Sequence, residues 1–438
     1  MTVKIKKFKK NKFIEKQTLS TFKKEIPSQY FSHLKDKSEF FNHHNKITNL
    51  FRFGLMLPPE FFLGKKVIDL GSGTGDNSIS LAKYGATLTL VEMNKDALEI
   101  SKKVFLNFSP SFKKHSFINS SLYDINLNSL REKFDVSLSR GVFTHVGDKA
   151  RAFKILASLA KPGGYVIYGD RNTYVGLQEM LQRYAIYYII QKSTKKKIIL
   201  ENVYEEIVSI AEILFSEDID RSQKAIPRTR RAIIFDRWVI QQQDDPTVNE
   251  VLKFIETEGL EYVNSFPSIN FFGKGTSSLS RIKNLPALKE GGKINETLWM
   301  ILNKGELENI SSFEFLRDSN LFYKEINTFV KLIRNIKIDN NIPNNVLLKK
   351  IKNLKSLSKQ TTKFKLVDRL KVFFIEIEEF LKILKLTTNP NIIRKKIDNF
   401  QILFKGYAGL RGVDYIAYKP KKKKNEFSSR HNVSSFSR

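Results

Sequence analysis

At Val67-Ile68-Asp69-Leu70 a short apolar run passes directly into Gly71-Ser72-Gly73-Thr74-Gly75. A chain can satisfy that pattern best as a strand that turns sharply into a helix. The glycines admit left-handed backbone and let the main chain come close to a ligand, and the helix beyond would offer free N–H groups at its start. The next hundred residues keep the alternation. Strands are predicted at 87–92, 115–119, 134–139 and 165–170, and helices at 77–84, 95–107 and 148–160, the last closed by Lys161-Pro162-Gly163-Gly164. Such alternation covers both faces of a parallel sheet. The expected fold is α/β: a Rossmann-like doubly wound sheet with a helical N-terminal cap and a helical C-terminal insertion or domain.

At 438 residues the chain exceeds one ordinary domain of about 100–200 residues. Residues 1–29 read as a basic flexible arm and 30–60 as the helical cap, ending at Pro58-Pro59. The sheet domain is placed at 61–275, with an insertion at about 171–245. Residues 281–405 are Lys- and Asn-rich amphipathic helices, 406–420 a candidate last strand, and 421–438 a disordered basic tail. The net charge is +30, and its excess lies mainly in 330–438 rather than in the sheet domain. That suits either a solvated basic surface or an anionic partner. The absence of cysteine excludes disulfides, Cys-ligated zinc and thiolate catalysis, and no metal ligand set is assigned. No apolar run reaches the roughly 18–20 residues that span a bilayer, and the N-terminus lacks a signal-peptide core. A cytoplasmic protein is expected.

Three details narrow the ligand of the glycine loop. A dinucleotide fingerprint would place its third glycine at position 76, where Asp76 stands, and the G-K-[ST] of a phosphate loop is missing. Asp69 would oppose a pyrophosphate but suits the cationic end of an amino-acid group. Glu92 closes the second strand, placed to accept hydrogen bonds from ribose hydroxyls. The series VIDLGSGTG, LTLVEMN, FDVSLSRGVFTHV and LAKPGGYVIYGD resembles the motifs of class I S-adenosylmethionine (SAM)-dependent methyltransferases. It is closest to the small-molecule branch that includes quinone-biosynthesis and sugar or polyketide methylases, and it covers residues 66–170. The resemblance implies that Asp69, Gly71, Ser72, Gly73 and Gly75 hold the methionine part of SAM, Glu92 the ribose and Met93 a face of the adenine. An acid usually follows the third strand to bond the adenine amine. This chain has Ser121-Leu122 there, with Asp124 three residues on, so a backbone N–H of Leu122 is the candidate contact. Ser139-Arg140-Gly141 would line the cofactor and face the acceptor, and the resemblance implies an acceptor pocket in the insertion at about 171–245.

His145, just beyond the fourth strand, is the candidate general base, against a packing role; His43 and His44 are further candidates. Asp170-Arg171 could contact substrate or form a loop ion pair. Arg221, Arg228, Arg230, Arg231 and Arg237 could read an acidic acceptor, or could pair with Asp218, Asp220 and Asp236. The expected function is methyl transfer from SAM to a small-molecule acceptor, with an acidic metabolite or surface-glycan precursor in view. The alternative is a tRNA or rRNA methyltransferase whose basic termini bind phosphates. The fourth strand carries SRGVF where amino-group nucleic-acid methylases have an Asn/Asp-Pro-Pro-Tyr/Phe motif. Nothing in the sequence indicates an oligomeric state.

Overall fold

Before the sheet, the chain forms α1 (Thr2–Lys24) and α2 (Lys37–Asn49) in the computed structural model, which describes residues 2–26, 36–194, 198–225, 228–269, 285–300, 313–334, 336–339, 343–359, 365–405 and 412–421. The strands are β1 (Lys66–Leu70), β2 (Thr87–Glu92), β3 (Ser116–Asn119), β4 (Phe134–Arg140), β5 (Ala160–Arg171), β6 (Glu261–Phe266) and β7 (Gly412–Tyr418). They pair in one sheet of order β3-β2-β1-β4-β5-β7-β6, with β7 antiparallel to both its neighbours and β1 to β5 parallel. Strand order reverses between β1 and β4, and a crevice opens at their C-terminal ends.

Helices follow the strands as the alternation requires: α3 (Ile79–Lys83), α4 (Lys95–Phe108), α5 (Leu127–Leu130) and α6 (Lys149–Leu159). Asn94 caps α4 by accepting the Asp96 N–H, and Asp148 caps α6 by accepting that of Arg151. The sheet is covered on both sides. Val67, Leu88, Leu90 and Val136 pack under α2, α3 and α4, whereas Ile68, Leu70 and Val91 pack under α6 and the later helices. Neighbours Val67 and Ile68 thus serve opposite faces, as the two-residue period of a strand demands.

Beyond β5 come α7 (Leu177–Ser193), α8 (Tyr204–Ala225), α9 (Arg230–Ile234) and α10 (Val248–Thr257), the last begun by a capping box of Thr247 and Glu250. After β6 come α11 (Leu285–Trp299), α12 (Phe313–Arg334), α13 (Asn344–Lys359), α14 (Lys365–Leu386) and α15 (Pro390–Ile397). α7 is buried on all sides from Leu177 to Ile190, the mark of a helix packed within others rather than on a surface. Its residues share one apolar core with α8, α12, α13, α14 and α15. The late helices therefore extend the fold through α7, and β7 returns the chain to the sheet. Among the described residues no helix is long and apolar enough to cross a membrane.

Three expectations need correction or bounding. The segment read as a flexible arm forms helix α1, buried along Asn11, Ile14, Thr18 and Thr21. The fifth strand begins at Ala160, where a helix-closing turn was expected, because Ala160 pairs with Phe134 across a bulge. The basic tail beyond Lys421, and the beginning of the segment 406–420, lie outside the described residues.

The turn after α15 depends on one carboxylate. Glu376 of α14, buried, accepts the backbone N–H groups of Gln401, Ile402 (3.0 Å) and Leu403 (2.7 Å). Glu376→Ala leaves three donors without this acceptor, so urea unfolding should show a loss of about 2–4 kcal/mol at unchanged slope. Glu376→Gln, which keeps one oxygen, should lose about half as much.

Candidate functional site

The C-terminal ends of β4, β1, β2 and β3 open side by side onto one cleft. It encloses about 950 Å³, counted out to open solvent. β1 ends in the glycine turn. Gly71 has φ +75°, and a Cβ there would stand 2.4 Å from Val142 Cγ2. Gly75, at φ +77°, packs against Ser101 of α4, where a Cβ would meet Ser101 Oγ at 2.4 Å. Both positions exclude any other residue without displacement of a neighbour. The turn is tied to β2, since the N–H groups of Gly71 and Ser72 both donate to the Val91 carbonyl, at 2.8 and 3.1 Å.

Glu92 joins the two strand ends. It accepts the Gly73 N–H at 2.9 Å and the Asn94 N–H at 2.8 Å. Burial pushes its carboxyl above the ordinary range, while hydrogen bonds from the backbone of Asn94, Gly73 and Met93 work against that shift. Ser72 Oγ, on the other wall, is buried and has no hydrogen-bond partner. Such a hydroxyl suits a polar ligand.

Of the residues nominated from sequence, Gly71, Ser72, Gly73, Glu92, Met93, Ser121, Leu122, Arg140 and His145 all line this cleft. Asp69 and Gly75 do not; they lie beneath the turn. Asp69 is buried and accepts the Ser78 hydroxyl, and burial raises its carboxyl to about 6 against that bond and the nearby Arg140. Its visible task is to hold the start of the helix after the turn. Arg140 is committed to Asp414 of β7 through Nε (2.5 Å) and a second guanidinium nitrogen (3.2 Å). It forms part of the wall while stitching β4 to β7.

His145 donates Nδ1–H to the carbonyl of Gln242 at 2.8 Å. A carbonyl can only accept, so this bond fixes the tautomer and leaves Nε2 with its lone pair. Burial, with Arg171 nearby, holds the ring below the ordinary histidine value. His43 and His44 are not part of the cleft. They tie α2 to the segment after the turn, through Asn77 (3.2 Å) and Ser80 (3.0 Å).

Asp170 and Arg171 build the wall behind. Asp170 accepts the Thr144 N–H at 2.8 Å and its carboxyl is raised to about 7 by burial and by Asp245. Arg171 pairs with Glu179 at 2.5 Å. The five nominated arginines are likewise paired: Arg221 with Asp218, Arg228 with Asp236, Arg230 with Glu212 and Asp220, Arg231 with Glu25 and Glu205, and Arg237 with Asp218. None of them lines the cleft, and among the described residues no side chain of 171–245 does so. The insertion meets the site's frame where Gln242 holds His145 and Asp245 accepts the Thr144 hydroxyl.

What the sequence did not disclose is the cover. Glu15, Thr18 and Phe22 of α1, with Ile26 after it, line the cleft from the side opposite the sheet. Phe22 meets the His145 ring edge-on, with centroids 5.2 Å apart, and its carbonyl accepts the Asn94 amide. The inward stripe is largely polar, so no apolar period betrays it.

Residues 62–250 match the family model described as a methyltransferase domain. The ubiquinone biosynthesis O-methyltransferase of Vibrio parahaemolyticus is 34% identical over 109 residues, 25% of this chain and 45% of that protein. That of Coxiella burnetii is 30% identical over 134 residues, 30% of this chain and 55% of its own. The chain thus spans about half the length of the curated relatives it matches. A solved S-adenosylmethionine-dependent methyltransferase from Mesorhizobium loti aligns over 28% of this chain and 52% of its own, at 20% identity and a TM-score of 0.24.

The histidine geometry makes a pH prediction. A His held below its ordinary value of 6.5 takes up its proton later in the folded chain than in the unfolded one. The unfolded state then binds more protons, so His145 lowers stability as pH falls from about 6.5 through its folded value. Nitrogen-15 NMR should find His145 in the Nδ1–H form at pH 7, titrating below 6.5. His145→Gln should flatten the acid limb of the stability curve.

Proposed function

We propose that this chain, whose residues 62–250 are a domain of the class I SAM-dependent methyltransferase superfamily, transfers a methyl group from SAM to a small-molecule acceptor. The observation that carries the reading is the meeting, in one cleft, of the Gly71–Gly73 turn, the Glu92 carboxylate and the loop after β4. Their chemistry fits SAM. The turn brings main chain and the unpartnered Ser72 hydroxyl to the amino-acid end. Glu92 would accept the ribose hydroxyls, and Met93 and Leu122 offer apolar surface to the base. Bound SAM supplies a methyl already activated by its sulfonium charge.

The protein's share is then to orient, to exclude water and to manage one proton. α1 covers the cleft and serves the second task. For the third, His145 stands with Nε2 unprotonated, its ring fixed by Gln242, able to take the proton of a hydroxyl or amine acceptor as it is methylated. The curated relatives carry names of O-methyltransferases, which brings a hydroxyl forward as the methylated group. An acidic metabolite or glycan precursor loses its sequence-based argument, because each arginine that would have read the anion has a carboxylate partner. The cover formed by α1 favours a small acceptor over tRNA or rRNA.

Calorimetry with S-adenosylhomocysteine should give micromolar binding to the wild-type chain. Glu92→Ala should weaken it by about 30-fold, or ~2 kcal/mol. With SAM and a metabolite extract, mass spectrometry should find one compound heavier by a methylene unit, formed far more slowly by His145→Gln at undiminished cofactor affinity. A folded wild-type chain that takes up no S-adenosylhomocysteine sinks the proposal.

A further inference from the structure

We propose that Glu15 of α1 is the carboxylate that accepts the exocyclic amine of the cofactor's adenine, making the N-terminal helix a working part of the cofactor site. The inference rests on the SAM reading given above. The cleft follows the strand order, from Arg140–Val142 at β4, past the glycine turn at β1 and Glu92–Asn94 at β2, to Ser120–Leu122 at β3. With the amino-acid end at the turn and the ribose at Glu92, the base lies toward β3. Met93, Ala97 and Leu122 line that end and supply apolar surface for a flat ring.

An adenine is told from other purines by the donor at its sixth position. A site that buries that amine needs an acceptor for it. The loop after β3 brings no carboxylate of its own into the lining. Asp124 is turned outward, half-exposed, and bonded to Lys12 at 2.5 Å. Glu15 lines the cleft instead, carried in from a helix more than a hundred positions earlier in the chain. The Ser121 hydroxyl receives the Tyr123 N–H at 3.1 Å and donates its proton to Glu15 Oε1. Lys12 stands 3.3 Å from the other oxygen. These contacts fix the carboxylate in place and leave it lone pairs for a further donor.

A second observation points to an occupant that touches α1. Thr18, three residues on from Glu15, also lines the cleft, and its hydroxyl is buried with no hydrogen-bond partner. Ser72 Oγ across the cleft is in the same condition. Both residues line the cleft, one from the helix and one from the turn. The far end of the same helix holds Phe22 against His145. One element therefore reaches the base at one end and the proton acceptor at the other.

The experiment compares S-adenosylhomocysteine with S-inosylhomocysteine, in which a carbonyl replaces the amine. The wild-type chain should prefer the adenine compound by on the order of 30-fold, since two acceptors would otherwise face each other. Glu15→Gln can donate its amide to that carbonyl, so the preference should fall below about 3-fold while the melting temperature holds. A Glu15→Gln protein with undiminished preference overturns the assignment. As a check needing no variant, amide exchange of residues 11–24 in the wild-type chain should slow with S-adenosylhomocysteine and slow less with the inosine compound; equal protection by both also overturns it. Wild-type protein that binds neither compound refutes the SAM reading itself, and the Glu15 assignment with it.

Discussion

The site is organised by a carboxylate at the end of a strand, gripped by main chain from the strand beside it. Glu92 takes the Gly73 N–H from the turn after β1 and the Asn94 N–H from the start of α4. The starts of two crossovers, after β1 and after β2, are thereby joined. That junction is electrostatically incomplete. Even with backbone donors around it, Glu92 remains above the ordinary carboxylate range, because burial outweighs them. Further donors from a ligand would favour the charged form. On the reading proposed above, the two hydroxyls of a ribose would be such donors.

Behind this front lies a buried ionic layer that explains what the arginines do. Arg183, almost wholly buried, donates to the carbonyls of Arg237 and Ile240 and to Gln243. Arg237, equally buried, pairs with Asp218 at 2.7 Å. Asp236 is pulled down to about 2; burial opposes that shift, but Arg171 and Arg228 outweigh it. Charges so placed are costly unless each has a partner; Arg237 and Arg228 have carboxylates, and Arg183 has two backbone carbonyls and the Gln243 amide oxygen. The insertion uses them to hold the segment 240–245 still. That segment presents the Gln242 carbonyl to His145, and the Asp245 carboxylate accepts the Thr144 hydroxyl. Arginines that look from sequence like anion readers are the framing of the loop after β4.

Much of this was legible in the sequence, for reasons that also mark the limits. The interior strands β1, β2, β4 and β5 and the turn showed because strands packed between helices carry apolar runs, and because glycine alone fits at Gly71 and Gly75. Glu92 could be placed from its position at a strand end. Asp69 and Arg140 were nominated for the cofactor, and only Arg140 lines the cleft; their partners, Ser78 and Asp414, lie 9 and 274 positions away, and no local pattern encodes such a pairing. α1 escaped notice because its inward stripe of Asn11, Ile14, Thr18 and Thr21 has the helical period without the hydrophobicity. A helix with polar residues on its buried face shows no apolar stripe, so the rule that finds core helices passes over it.

The same long-range pairing decides how the late helices belong to the molecule. After β6 the chain makes the excursion through α11 to α15, then inserts β7 between β5 and β6. β7 is thus an interior strand, made last in sequence and flanked on both sides by earlier ones. Its Asp414 takes the Arg140 guanidinium at the mouth of the cleft. Ending the chain before β7 would strip β5 and β6 of their shared ladder and leave Arg140 without its counter-charge beside Asp69. The helical region is therefore a detour within the sheet domain, and a catalytic core cut at the boundary of the matched segment would lack the strand that completes the β4 wall of its own cleft.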